Sequence, residues 1–216
     1  MGPKTRSDPV SLDDLMEKLC KIEKCVTGIE DEMKGVNSQL ASHEDRLNKV
    51  DNSLNYYEQR ARNLSIRIFN MSVPAEISKS SLKTADFIYS SILKPILSLA
   101  CDGGEINSIP DVLSLIEYCH VLPPPKKSPD TTPVIVKLSS RLYRQLIFQY
   151  KKPFFQQNAH LLPKVNIAED LTSKNYQQLA KLKADPTIAR AWSLYGNLKY
   201  VTVAEPNIVK SFSFSN

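Results

Sequence analysis

Side chains able to do chemistry are plentiful in this chain, and most are cations. Arg60, Arg62, Arg67, Lys126, Lys127, Lys137, Arg141, Arg144, Lys151 and Lys152 fill its middle, and Lys164, Lys181, Lys183, Arg190 and Lys199 follow. Such groups neutralise phosphate oxygens, a contact that holds a nucleic-acid backbone without reading its sequence. Tyr195 and Tyr200 add flat faces on which bases can stack. Any one of these cations is as readily explained by a solvated surface charge, so the reading concerns the set.

Catalysis has no comparable raw material. The sequence contains no Gly-x-Ser-x-Gly, no His-Glu-x-x-His and no phosphate loop, and only six glycines stand against fourteen prolines. No catalytic residue, cofactor or small-molecule substrate is expected. The four cysteines, Cys20, Cys25, Cys101 and Cys119, form no Cys-x-x-Cys pair, so no metal is expected and reduced thiols are the default. Met1 to Val10 is polar and basic, unlike a signal peptide, and no apolar run is long enough to span a bilayer, so no membrane partner is expected. On that basis Asn63-Leu64-Ser65 and Asn70-Met71-Ser72 are chance matches to the glycosylation pattern.

The net charge of +5 is unevenly spread. Residues 1–59 hold 8 basic and 12 acidic side chains, and residues 60–216 hold 20 and 11, a net of −4 against +9. A polyanion is therefore expected to meet the second part of the chain.

The element that must gather these cations is written in heptads. Leu12, Leu19, Val26, Met33, Leu40, Leu47 and Leu54 recur every seven residues, and Leu15, Ile22, Ile29, Val36, His43, Val50 and Tyr57 follow each by three. A repeat averaging 3.5 residues predicts a left-handed coiled coil. Leucine at a with β-branched residues at d works against a parallel dimer, and Arg46 and Asp51 flank one a/d pair at g and e, as do Lys18 and Glu23. A parallel homotrimer is the expectation, with a tetramer as its neighbour. His43, the one polar seam residue, either sets register or is a tolerated weak point.

Beyond the heptads, Leu64–Met71 alternates as a strand, and Ser81–Leu99 has helical spacing interrupted by Pro95. Leu113–Leu122 and Pro133–Leu138 read as strands around the basic connection Pro123–Asp130. Ser140–Lys152 reads as a helix stopped by Pro153, and Val165–Ile167 as a fourth strand. Strand, helix, strand, strand, helix, strand is the split βαβ plan used by RNA-recognition motifs. In the tail, Asp170 or Thr172 can cap a helix carrying Tyr176, Leu179 and Leu182. Asp185-Pro186 can start a short helix over Thr187–Trp192, and Tyr195-Gly196-Asn197-Leu198 looks like a hairpin turn. The expected organisation is α+β: a flexible segment 1–10, a coiled coil 11–59, an RNA-recognition-motif-like domain 60–168, a small C-terminal α/β domain 169–204 and a flexible, frayed tail 205–216.

Several blocks in this order carry a resemblance. They are Tyr56-Tyr57-Glu58-Gln59-Arg60 with Asn63-Leu64-Ser65-Ile66-Arg67-Ile68, then Ile116-Glu117-Tyr118-Cys119-His120, Val134-Ile135-Val136-Lys137-Leu138, Ile167-Ala168-Glu169-Asp170-Leu171-Thr172 and Ala191-Trp192-Ser193-Leu194-Tyr195-Gly196-Asn197-Leu198. Over nearly its whole length the chain resembles the first-open-reading-frame protein of LINE-class non-LTR retrotransposons. The last two blocks also look like the C-terminal domain of the baculoviral few-polyhedra protein. The resemblance implies a trimeric coiled coil, an RNA-recognition-motif domain and a C-terminal domain that closes on RNA. It further implies a nucleic-acid chaperone that coats its own transposable element's transcript as a ribonucleoprotein; the cytoplasm is the expected compartment, with the nucleus left open as the alternative. The chain departs from the family where Tyr118-Cys119-His120-Val121 replaces a common Arg-Ala-His-Arg, and it has no zinc knuckles and no endonuclease or reverse transcriptase region.

An RNA-recognition motif stacks bases on aromatics of its two central strands. Here Arg67 and Ile135 occupy those places, so the stacking platform reads as poor and binding should rest on phosphate contacts, tolerant of sequence and sensitive to salt. Tethering three weak sites raises their joint affinity through effective concentration. His120 and Trp192 read as packing residues. A second reading stays open: a coiled-coil scaffold whose basic part grips an acidic protein or a membrane surface.

Overall fold

The computed structural model describes residues 11–123, 132–160, 162 and 164–214. It is a mixed α+β fold in which one long helix, α1 (Leu12–Ala61), precedes two antiparallel sheets. The chain divides into two compact units, one up to Ser53 and one from Leu54. Among the described residues no helix is long and apolar enough to cross a membrane.

Helix α1 runs uninterrupted because no proline breaks it and its turns are laced by local pairs. Ser11 Oγ accepts from the Asp13 amide, Asp13 and Asp14 sit at the positive end of the helix dipole, and Arg60 sits at the negative end. Lys21–Glu17 (2.7 Å), Lys34–Asp31 (2.9 Å) and Lys49–Asp45 (2.8 Å) are exposed pairs three or four residues apart. Each contributes roughly 0.2–0.5 kcal/mol. The thirteen apolar and aromatic residues of the heptad series remain 48% to 78% exposed in the single chain, and His43 is exposed with them.

In the second unit, β1 (Ser65–Met71), β2 (Ile116–Val121), β3 (Thr132–Leu138) and β4 (Asn166–Glu169) form a sheet in the order β2-β3-β1-β4. All neighbours are antiparallel. Alternation sends Ile66, Ile68, Val134, Val136, Leu138, Cys119 and Ile167 into the core. There they meet Ile88, Ile92, Leu93, Ile96, Leu97, Leu146, Ile147 and Phe154 of the covering helices. The helices are α2 (Ala75–Ser78), α3 (Ser81–Ile88), α4 (Lys94–Asp102), α5 (Val112–Leu115) and α6 (Arg141–Gln157).

Three proline and cap effects move boundaries away from the sequence expectation. Pro95 does not end the Ser81–Leu99 run, which continues to Asp102. The helix widens into a π-turn over Tyr89–Leu93, where the Lys94 amide donates to the Tyr89 carbonyl five residues back. That wider turn makes room for a ring that would otherwise strike a carbonyl. Pro153 does not stop α6, which continues to Gln157 because the next residue, Phe154, is buried in the core. Burial of a phenylalanine offsets one missing hydrogen bond. Asp111 caps α5 by accepting from the Ser114 amide at 2.8 Å, so β2 begins at Ile116 rather than Leu113. The same hydrogen bonds hold the Asp111 carboxyl below its usual range.

The C-terminal part builds α7 (Ser173–Ala184) and a sheet of β5 (Ile188–Leu194), β6 (Asn197–Thr202) and β7 (Lys210–Ser211), ordered β5-β6-β7. Thr172 is the cap of α7, accepting from the Asn175 amide at 3.2 Å. The helix expected over Thr187–Trp192 is instead strand. Asp185 accepts from both the amide and the hydroxyl of Thr187, turning the chain into β5, which pairs along β6. The hairpin turn at Tyr195-Gly196 is present, and both residues take positive φ (52° and 77°), as the two-residue turn matching strand twist requires. Beyond Glu205, where a frayed end is expected, Lys210–Ser211 pairs with β6 and Phe212 packs on the small core of Leu171, Leu182, Ala191 and Leu198.

Candidate nucleic-acid interface

Because Ile66, Ile68, Cys119, Val134 and Val136 face the helices, the residues between them face the other way. The open side of the first sheet therefore carries Tyr118 and His120 on β2, Ile135 and Lys137 on β3, Arg67 and Phe69 on β1, and Asn166 and Ala168 on β4. Register places His120 opposite Ile135, Ile135 opposite Arg67, and Arg67 opposite Ala168, with Tyr118 opposite Lys137. Ile135 is only 7% exposed, so the middle of this face is apolar and closed. Lys137 Nζ donates to Glu117 at 2.7 Å, an exposed bond that raises the lysine's pKa and keeps it charged.

Between this face and α7 lies a cleft of about 340 Å³, lined by Arg67, Phe69, Asn166, Tyr176 and Lys183 among others. It combines two cations, two rings and an amide, the functional groups of single-strand recognition.

Several of the expected phosphate contacts serve the fold instead. Arg144 is 3% exposed and forms an ion pair with Glu169. Its guanidinium lies 4.7 Å from the Phe148 ring centroid and 4.9 Å from that of Tyr195. Glu169 also accepts from the Tyr195 amide (2.7 Å) and the Gly196 amide (3.0 Å), so this pair pins the β5–β6 turn to the first sheet. Lys151 donates to the Ile167 carbonyl at 2.6 Å and lies over the Phe148 ring. Burial lowers its pKa, the Glu169 charge opposes that and the Arg144 charge adds to it. Asp170, nearly buried, accepts from Arg67 at 2.5 Å and from Arg62 at 3.4 Å. Lys199 donates to Ser211, and Tyr200 packs on the small C-terminal core.

Of the cations expected to meet phosphate, Arg60, Arg141, Lys152, Lys164, Lys181, Lys183 and Arg190 are exposed. Arg190 lies 4.8 Å from the ring of Trp192, which is half-buried. Tyr195 keeps 39% of its surface in solvent. Lys126 and Lys127 fall outside the described residues.

Two groups escaped the sequence reading. Tyr118 and His120 are not packing residues. Both are exposed, and their rings lie 5.6 Å apart at 20°. The signal was available, since alternation about Cys119 puts them on the face of Lys137. The second group is a buried polar junction. Asn55 Nδ2 donates to Asn175 Oδ1 (2.9 Å), and Asn55 Oδ1 accepts from the Thr172 hydroxyl (2.7 Å). Gln59 accepts from the Thr172 amide (2.9 Å) and from Asn175 (3.1 Å), and donates to the Asp170 carbonyl (3.2 Å). Asn175 also donates to the Gly196 carbonyl at 3.1 Å. Gly196 is required there, because a Cβ would collide with the Gln59 side chain and its φ is positive. Asn55 and Gln59 occupy heptad positions b and f, away from Leu54 and Tyr57 at a and d.

Burial pushes the Cys119 thiol up to about 12, which makes it inert. Among the described residues no group of three His, Cys, Asp or Glu side chains could hold a metal ion. No protein-family model matches the chain, and no curated protein matches it.

Proposed function

We propose that this chain is a self-associating, single-stranded RNA-binding protein and nucleic-acid chaperone of the LINE-class first-open-reading-frame type. The observation that carries the reading is the first sheet. Its β2-β3-β1-β4 order, with α3, α4 and α6 packed on one face, fits the plan of RNA-recognition motifs, and the opposite face carries Arg67 and Lys137 with Lys183 of α7 beside it. The adjoining cleft under α7 fits a C-terminal domain that closes on a strand. Exposed Lys152, Lys164, Lys181 and Lys183 supply phosphate contacts, so binding tolerates sequence and weakens with salt.

The heptad stripe supports the oligomeric half of the reading. Thirteen apolar and aromatic side chains stand exposed along one helix, an arrangement that a second and third copy would cover. The polar junction engages positions b and f and leaves a and d free for a parallel trimer. Three copies held together multiply weak contacts to one transcript, giving a cytoplasmic ribonucleoprotein.

Fluorescence anisotropy with a labelled 20-nucleotide single-stranded RNA, repeated across salt, tests the RNA half. Affinity is expected to fall linearly in log–log form, by about 0.7 per phosphate neutralised. Sedimentation of the full chain tests the other half, with a mass three times that of the monomer expected. Failure to bind RNA in dilute buffer, together with binding to anionic vesicles, would return the scaffold reading.

A further inference from the structure

We infer that Tyr118 and His120 form a nucleobase-stacking site on the edge strand of the first sheet, taking one or two unpaired bases of a single-stranded polynucleotide. The inference rests on the RNA-binding reading and gives it an address. The two central strands offer no ring at the middle of the open face, where Arg67 and Ile135 stand. Apart from Phe69 toward the end of β1, the rings of this face stand on β2, the edge strand paired with β3.

The strand has no freedom to hide them. Cys119 between them is fully buried, and Ser81 Oγ donates to its carbonyl at 2.6 Å, so alternation holds both neighbours outward. Tyr118 keeps 42% of its surface in solvent although a ring of that size normally seeks cover. The two rings lie within 20° of parallel, and a planar base extends such a stack without needing any particular hydrogen-bonding edge. Charge selects the ligand. Lys137 Nζ is 5.8 Å from the Tyr118 ring centroid, one strand spacing away, and can exchange Glu117 for a phosphate. Flat ring and neighbouring cation together match a nucleotide.

Anisotropy of the full chain with labelled oligouridine and with an abasic phosphodiester strand of equal length tests the site. Wild type should prefer oligouridine. Tyr118→Ala combined with His120→Ala should weaken oligouridine binding about tenfold and leave the abasic strand unchanged. Tyr118→Phe should bind like wild type. The salt slope should not move in the ring variants, whereas Lys137→Ala should lower it by about 0.7. Equal binding of oligouridine by wild type and the double variant, or equal weakening on both strands, overturns the stacking site and leaves the RNA reading standing. A wild type that binds neither strand overturns both. Because both side chains are exposed, unchanged thermal melting should accompany every variant, and a melting loss that tracks the affinity loss would also overturn the site.

Discussion

The apolar residues of α1 before Ser53 and those of the unit from Leu54 onward have opposite fates. Ile66, Ile92 and Val136 are fully buried by other parts of the same unit, whereas Leu19, Ile29 and Leu40 stand more than half exposed. The amino-acid types are alike; the spacing differs. A 3.5-residue repeat on one helix has no partner surface within that helix, while strand alternation and helical stripes in the second unit have one another. One region is stabilised by its own fold, and on the proposed reading the other is stabilised by concentration.

Removal of Arg144 should do the greatest damage and should fall entirely on the second region. Arg144→Ala leaves Glu169 buried without its cation and strips the β5–β6 turn of its anchor. A loss of about 3–5 kcal/mol in denaturant unfolding is expected. Tight RNA binding by a fully stable Arg144→Ala protein would show the residue to be dispensable to the fold.

Core and seam can be separated with a matched pair of truncations. Ile92→Ala should cost about 2–5 kcal/mol of unfolding free energy at every protein concentration. Leu40→Ala should leave that transition alone and weaken self-association by about 1.5–3 kcal/mol per chain, read as a concentration shift in sedimentation. If both variants behave alike in the two assays, the two regions are not independent and the comparison fails.

A smaller effect probes the junction where α1 meets the C-terminal part of its unit. Thr172 caps α7 and also bonds to Asn55 and Gln59. Thr172→Ala removes the cap and the hydroxyl that donates to buried Asn55 Oδ1, an expected loss of about 1–2 kcal/mol. Thr172→Ser should recover most of it.

Much of this is legible in the sequence. The long helix, the four strands of the first sheet and the Tyr195-Gly196 turn follow from periodicity and from the backbone freedom of glycine. What was not legible depends on contacts distant in sequence. Pro153 is tolerated because Phe154 finds a core, and Thr187–Trp192 is strand because β6 lies alongside it. Positive charge alone could not divide Arg144, whose partner is Glu169, from Lys152, which faces solvent. Asn55 and Gln59 look like ordinary outer positions of a coiled coil until Thr172 and Asn175 are placed against them.

Cysteine chemistry gives the mildest and most local contrast. Cys119 is buried, and its thiol is pushed from 9.0 up to about 12, so the folded chain holds that proton more tightly than the unfolded one. The stability this gives is complete below about pH 9 and is lost as pH climbs from there toward 12. Cys119→Ala should flatten that alkaline decline in a series of melts. Cys20 and Cys25 are exposed, at heptad positions b and g. Alkylation at pH 8, followed by mass spectrometry, should label both while sparing Cys119 until the fold opens. Position g borders the proposed seam and position b does not. Raising the protein concentration through the assembly range should therefore slow labelling at Cys25 a few-fold and leave Cys20 unchanged, whereas equal rates at both would place the partner helices on some other face of α1.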